Sequence, residues 1–263
     1  MKKYFLIEKP TPVLNISDFL SVFGGRDKKT LKQDSLGHTR EIEFIALKNM
    51  VFEILSSTPS KYIYKVKFNF YKSTNLYIDV RFGCFLNKKK SPNLKYILNP
   101  YKIIKKLNSY INLPYVWGAN YSKGIKDLLK YYPLTSQNKD LMKRWTLKGL
   151  DCSGLLFDAT NGYTPRNTTD LLFYKDSLPI ENLNIYEIQK ILKPLDLIVF
   201  KGHVIVIIDQ LTTLESREKI GVYKSNLIIR LNEIIKTKKA TNTWKKENDF
   251  VINRWLNIDQ FCL

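Results

Sequence analysis

The chain has 263 residues, 43 Lys+Arg against 24 Asp+Glu for a net charge of +19, 44% hydrophobic residues, 13% aromatics, three cysteines and two histidines. That length holds one large domain or two small ones with real cores, and no apolar run approaches the ~20 residues of a membrane-spanning helix. Three cysteines without metal-ligand spacing indicate neither a disulfide framework nor a zinc site, and no metal or cofactor is expected.

The basic residues are spread along the chain: 18 basic and 8 acidic residues up to position 98, net +10, then 25 and 16, net +9. A nucleic-acid binder concentrates charge in a patch or tail, so no nucleic acid is expected as a partner, while the field favours an acidic small substrate. At the N-terminus Lys2 and Lys3 precede the apolar Tyr4–Ile7, but Glu8 and Lys9 end that run short of an export signal. A cytoplasmic protein is therefore expected, with a periplasmic or secreted one exported by a non-standard route as the alternative.

Between Arg40 and Phe85 short β-branched and aromatic runs alternate with Ser, Thr, Pro and Asn: residues 43–46, 51–55, 62–68 and 76–80. Strands this short bury a core only by closing on one another, which predicts a small antiparallel barrel. The stretch Lys88-Lys89-Lys90-Ser91-Pro92-Asn93 reads as a linker. After Asn99-Pro100 the apolar residues Ile103, Ile104, Leu107 and Ile111 fall on one helical face. A second helix is expected from Cys152 to about Thr160, stopped by Asn161-Gly162. Residues 197–200 and 204–208 then form a hairpin around Lys201-Gly202-His203, and a last strand lies at 250–255. The expected class is α+β, with domains at 1–98 and 99–263.

Asp151-Cys152-Ser153-Gly154 puts a thiol at a helix start, where unpaired N–H groups and the helix dipole favour a thiolate. Taken alone, a cysteine there is also a common small buried side chain. Of the two histidines, His38 lies in a loop-like run and reads as a surface residue. His203 heads an apolar strand 51 residues after Cys152, where a base can face a nucleophile on a helix. Glu215, 12 residues beyond His203, is the candidate to hold the imidazole, with Asp209 its local competitor.

These residues resemble the NlpC/p60 family of cell-wall cysteine peptidases over about residues 99–230. The resemblance runs through Leu113-Pro114-Tyr115-Val116-Trp117-Gly118, Asp151-Cys152-Ser153-Gly154-Leu155, Pro165-Arg166, Leu192-Lys193-Pro194-Leu195-Asp196-Leu197 and His203-Val204. It implies a papain-like catalytic domain with Cys152 as nucleophile, His203 as general base, Glu215 as orienting group and Tyr115 helping to hold the oxyanion. Asp151, Ser153, Trp117, Arg166 and Thr168 would contact substrate, although Thr168 is also an ordinary helix N-cap. The first domain looks like the bacterial SH3-like barrels that accompany this family, in which Tyr71 or Tyr77 would line the cleft.

The sequence departs from the family where Ala119 and Leu195 replace glycines, and in its long segment between Trp117 and Cys152. That segment, about 120–149, is expected to be partly helical and either to cover the cleft or to decorate the catalytic domain. The implied activity is hydrolysis of the γ-D-glutamyl–diaminoacid bond of murein peptides with free amino ends. The rivals are a cell-wall amidase or toxin of the same fold acting on intact murein, and a non-catalytic wall-binding or nucleic-acid-binding module.

Overall fold

A computed structural model of the chain describes residues 3–256, so Cys262 lies outside the described residues. The protein is a mixed α and β chain rich in sheet, and it packs into two compact units. One is the chain up to Lys95 together with Val116–Asp151; the other is Tyr96–Tyr115 together with the chain from Cys152 onward.

The first unit opens with β1 (Tyr4–Ile7), β2 (Thr11–Leu14) and the short helix α1 (Phe19–Val22). Strands β3 (Ile42–Ala46), β4 (Val51–Ser57), β5 (Ile63–Lys67), β6 (Leu76–Asp79) and β7 (Gly83–Leu86) follow. The order is β3-β2-β6-β5-β4-β1-β7, antiparallel at every pairing.

The four runs read from the sequence are strands, and three more join them. Among the described residues, however, β3 and β7 end the path and do not pair with each other, so the expected closed barrel is not found. The physical reason lies at the β3 edge. There the buried Asn120 side chain takes the place of a neighbouring strand, accepting from the Ile45 N–H at 2.7 Å and donating to the Ile45 carbonyl at 2.9 Å.

After Lys95 the chain enters the second unit through helix α2 (Pro100–Asn108), whose N-cap Asn99 accepts from the Lys102 N–H. It then returns to the first unit as β8 (Asn120–Tyr121), α3 (Leu128–Tyr131), α4 (Lys139–Trp145) and β9 (Gly149–Leu150). The sequence assigns this excursion to the second domain, yet its apolar residues pack with those of the first 95. Ile125, Leu128, Tyr132, Trp145 and Leu147 share one cluster with Phe19, Phe23, Leu31, Ile42, Ile63 and Phe82.

Trp145 is fully buried, donates from Nε1 to the Tyr132 carbonyl at 2.9 Å and lies against Phe23. Asp79, also fully buried, accepts from Tyr132 at 2.7 Å and pairs with Arg81. These bonds tie the C-terminal end of α3 to β6 by more than apolar contact.

The second unit continues with α5 (Cys152–Ala159), α6 (Thr168–Leu171), β10 (Asp176–Ser177) and α7 (Ile185–Ile191). Then come β11 (Leu197–Phe200), β12 (His203–Ile207), β13 (Thr212–Arg217), β14 (Gly221–Asn226), α8 (Leu227–Ile235), β15 (Lys239–Ala240) and β16 (Asp249–Arg254). The sheet order is β10-β16-β11-β12-β13-β14, with β15 alongside β16.

Ile198, Ile205, Ile207, Phe250 and Ile252 pack with Ile188 of α7 and Leu227, Leu231 and Ile234 of α8. Period-two alternation puts Leu197, Val199, Val204, Val206 and Val251, all fully buried, on the other face. Helix α5 is buried along its whole length and packs against α2, β12 and β13. Leu195, where the resembling family has glycine, is left-handed at φ 71°. Its N–H donates to the Ile207 carbonyl and its carbonyl accepts Trp255 Nε1, bonds that hold a conformation L-residues disfavour.

Replacing Trp145 by alanine is expected to lower the stability of the first unit by about 3–5 kcal/mol, the usual cost of emptying a buried aromatic site. Urea unfolding followed by circular dichroism measures it. An unchanged midpoint would show that the 116–151 excursion is peripheral after all.

Candidate active site

Cys152 is the first residue of α5, so its backbone N–H belongs to the turn that has no intrahelical acceptor. Cys152 is 7% exposed, and its Sγ lies 3.7 Å from the carbonyl of Gly202. Gly202 occupies the two-residue turn Lys201-Gly202, which closes the β11–β12 hairpin with Phe200 opposite His203. Its φ of 81° is a left-handed conformation that suits glycine. The turn thus fixes both the carbonyl that meets the thiol and the residue after it, His203.

Ile207 of β12 lies opposite Thr213 of β13, so alternation puts His203, Ile205, Thr213 and Glu215 on one face. His203 Nε2 and Glu215 Oε2 are 2.6 Å apart. With Nε2 held by a carboxylate, the neutral ring carries its proton there and Nδ1 is the nitrogen available as a base.

Glu215 is fully buried. Besides His203, it accepts from Arg230 Nε at 2.7 Å, Arg230 Nη2 at 3.1 Å and the Tyr223 hydroxyl at 3.0 Å. Burial alone would raise its carboxyl pKa; the hydrogen bonds and charges of His203 and Arg230 outweigh that and hold it down at about 2. Tyr223 in turn accepts from Arg217 Nη1 at 2.9 Å, and Arg230 Nη1 donates to Glu233 at 2.8 Å. Asp209, the sequence competitor, is exposed and accepts the Leu211 N–H within its own turn.

Arg230 and Tyr223 escaped the sequence reading. The signal for Arg230 was one charged residue on the otherwise apolar buried stripe Leu227-Leu231-Ile234 of α8. Tyr223 had none, since only the β13–β14 register puts it opposite Glu215.

Of the remaining candidates, Ser153 and Arg166 come together: both are buried, and Arg166 Nη1 donates to Ser153 Oγ at 2.9 Å. Thr168 is the first residue of α6 and Asn167 its N-cap, so Thr168 is not the cap that its residue type suggested. Tyr115 is half-buried at the end of a loop that β14 fixes: Asn112 N–H donates to the Val222 carbonyl and Val222 N–H to the Leu113 carbonyl, each at 2.9 Å. Gly221 permits this approach. Its φ is 85°, and a Cβ there would sit 2.3 Å from the Leu113 carbonyl oxygen.

Trp117 and Asp151 belong to the first unit. The Arg40 guanidinium lies 3.9 Å from the Trp117 ring centroid and the His38 ring 5.5 Å away, nearly parallel. His38 is buried, contrary to its reading as a surface residue, because it stacks on Trp117 and its N–H donates to Asp34. The Asp151 N–H donates to the Ala119 carbonyl. In the same unit Tyr71 donates to Glu43 at 2.6 Å and Tyr77 packs on the core.

Among the described residues no group of three or more His, Cys, Asp or Glu is arranged to hold a metal ion, and no helix is long and apolar enough to cross a membrane.

No family model matches the chain, and no curated protein does. Its structural neighbours include an NlpC/P60 family protein from Bacillus cereus, 17% identical over 97% of this chain, with a TM-score of 0.36. They also include NlpC1 and NlpC2 from Trichomonas vaginalis, 11% and 12% identical over 96% and 97% of this chain, with TM-scores of 0.35 and 0.34. This chain spans 64% of the Bacillus protein and 69% and 73% of the two Trichomonas proteins.

Because the Glu215 carboxyl is held at about 2 against an ordinary 4.5, the stability it contributes is complete above pH about 4.5 and is lost as pH falls toward 2. Thermal melts are expected to drop through that window in the wild type and to drop less in Glu215→Gln. Gly221→Ala is expected to cost about 2 kcal/mol and to displace the Tyr115 loop, seen as a lower melting temperature and shifted Tyr115 resonances.

Proposed function

We propose that the protein is a cysteine peptidase that hydrolyses the γ-D-glutamyl–diaminoacid amide bond of peptidoglycan stem peptides, acting on released peptides with a free amino end. The observation that carries the reading is the array of a helix-start Cys152 Sγ 3.7 Å from the residue preceding His203, with His203 2.6 Å from the buried Glu215. Motif order and spacing, from Tyr115 through Cys152 to His203, support the substrate class by resemblance.

In this reading His203 Nδ1 takes the Cys152 proton while Glu215 holds Nε2–H, and the thiolate attacks the amide carbonyl. The oxyanion is stabilised by the Cys152 backbone N–H and Tyr115. The imidazolium returns its proton to the leaving amine, leaving an acyl-enzyme. Water then attacks that thioester with His203 as base, releasing the γ-glutamyl carboxylate and regenerating the thiol. Asp151 and Ser153 flank the nucleophile in sequence and take up the substrate's amino end, with Arg166 fixing the Ser153 hydroxyl. Thr168 contributes a further substrate contact. No metal or cofactor takes part.

The test is mass spectrometry of L-Ala-γ-D-Glu-diaminopimelate, with its amino end free or acetylated, incubated with wild type and Cys152→Ala. Release of L-Ala-D-Glu by the wild type alone, from the free peptide alone, is expected, with the variant reduced by at least about 1,000-fold. Cleavage of intact murein but not of the tripeptide would replace the substrate; equal product from the Cys152→Ala protein would end the nucleophile assignment.

A further inference from the structure

The third group of this site is an anion, and the structure supplies it with a second, permanent counter-ion. Arg230 grips both oxygens of Glu215, through Nε at 2.7 Å and Nη2 at 3.1 Å, from a helix whose neighbouring buried positions are apolar. Burying a guanidinium among Leu227, Leu231 and Ile234 is costly unless it is paired, so its placement follows the carboxylate. A carboxylate facing His203 with no counter-ion would favour the imidazolium strongly and hold the ring charged when it must act as a base for water.

We propose that Arg230 is a positioning residue that neutralises Glu215, so that the carboxylate acts on His203 by orientation and not by net charge. The significance of this role rests on the Cys152–His203 chemistry proposed above, although the electrostatics can be measured without it.

Other groups face the pair. Cys152 of α5 lies against the carbonyl of Gly202, the residue before His203; Arg217 on β13 and Tyr223 on β14 are bonded to each other, and Tyr223 to Glu215. Glu233 on α8 pairs with Arg230 at 2.8 Å. The Phe200 ring, 5.4 Å from the imidazole, carries Lys238 at 5.7 Å, and Lys201 pairs with Glu247 beyond the turn. Arg217 reaches Glu215 only through the Tyr223 hydroxyl, while Arg230 contacts both carboxylate oxygens, so removing Arg230 exposes His203 to a far less compensated anion.

The chain has two histidines, so both imidazoles can be followed by NMR as pH is varied, with His38 as an internal control. Four full-length proteins are compared: wild type, Arg230→Met, Glu215→Gln and the double variant. Arg230→Met is expected to raise the His203 midpoint by about one pH unit or more, and Glu215→Gln, which leaves Arg230 paired only with the half-exposed Glu233, to lower it. The double variant, with both charges gone, returns the midpoint toward that of the wild type. A purely structural role for Arg230 would not produce this crossing order.

Coincident midpoints for wild type and Arg230→Met, or for Arg230→Met and the double variant, overturn the proposal. Should Arg230→Met fail to fold, the order of Glu215→Gln below the double variant still decides it. Alkylation of Cys152 by iodoacetamide in the same proteins reads the proposed function separately. An unreactive wild-type thiol with the His203 order intact would sink the peptidase reading alone, whereas a reactive thiol with no such order would sink the Arg230 role alone.

Discussion

A single fully buried carboxylate organises the second unit. Glu215 cannot remain ionised in that environment without partners, and it has four hydrogen bonds: one to His203, two to Arg230 and one to Tyr223. Each partner comes from a different element, so the bonds link β12, β13, β14 and α8 at one place. Ile205, Ile207, Leu227 and Leu231 of the same elements pack in one apolar cluster, and burial of such side chains is the main favourable term in folding. The ionic cluster adds direction, because only one register of the β12–β13 and β13–β14 ladders satisfies all four bonds.

The first unit repeats that logic with different side chains. Asp79, bonded to Tyr132 and Arg81, joins the sheet to the 116–151 excursion, and Asn120 ends the sheet by occupying the open edge of β3. The chain passes between units directly after Tyr115 and directly before Cys152. Tyr115 and Cys152 therefore stand at the junctions of the chain's path. Gly221 and the Leu113 backbone fix one of them from within the second unit. The other begins a helix buried along its whole length.

Much of this was legible because it is local. The helix after Asn99-Pro100, the stop at Asn161-Gly162 and the Lys201-Gly202 hairpin are set by capping residues, φ preferences and periodicity within a few positions. So was the pairing of His203 with Glu215, since one hairpin separates them and alternation puts them on one face. The strands between residues 42 and 79 were readable from their β-branched and aromatic runs. What they formed was not, because closure depends on which partner meets the edge of β3, and that partner is a side chain 75 residues away.

The sequence by itself determined the local elements and the order and spacing of Cys152, His203 and Glu215 along them. Only the tertiary structure decided that residues 116–151 share a core with the first 95, that His38 is buried against Trp117, and that Arg230 shares Glu215 with His203. Each of these is a long-range contact between side chains whose types are equally at home on a surface. Local propensity cannot distinguish a solvated arginine on a helix from one drawn inside by a buried carboxylate; the difference lies in the desolvation of the partner.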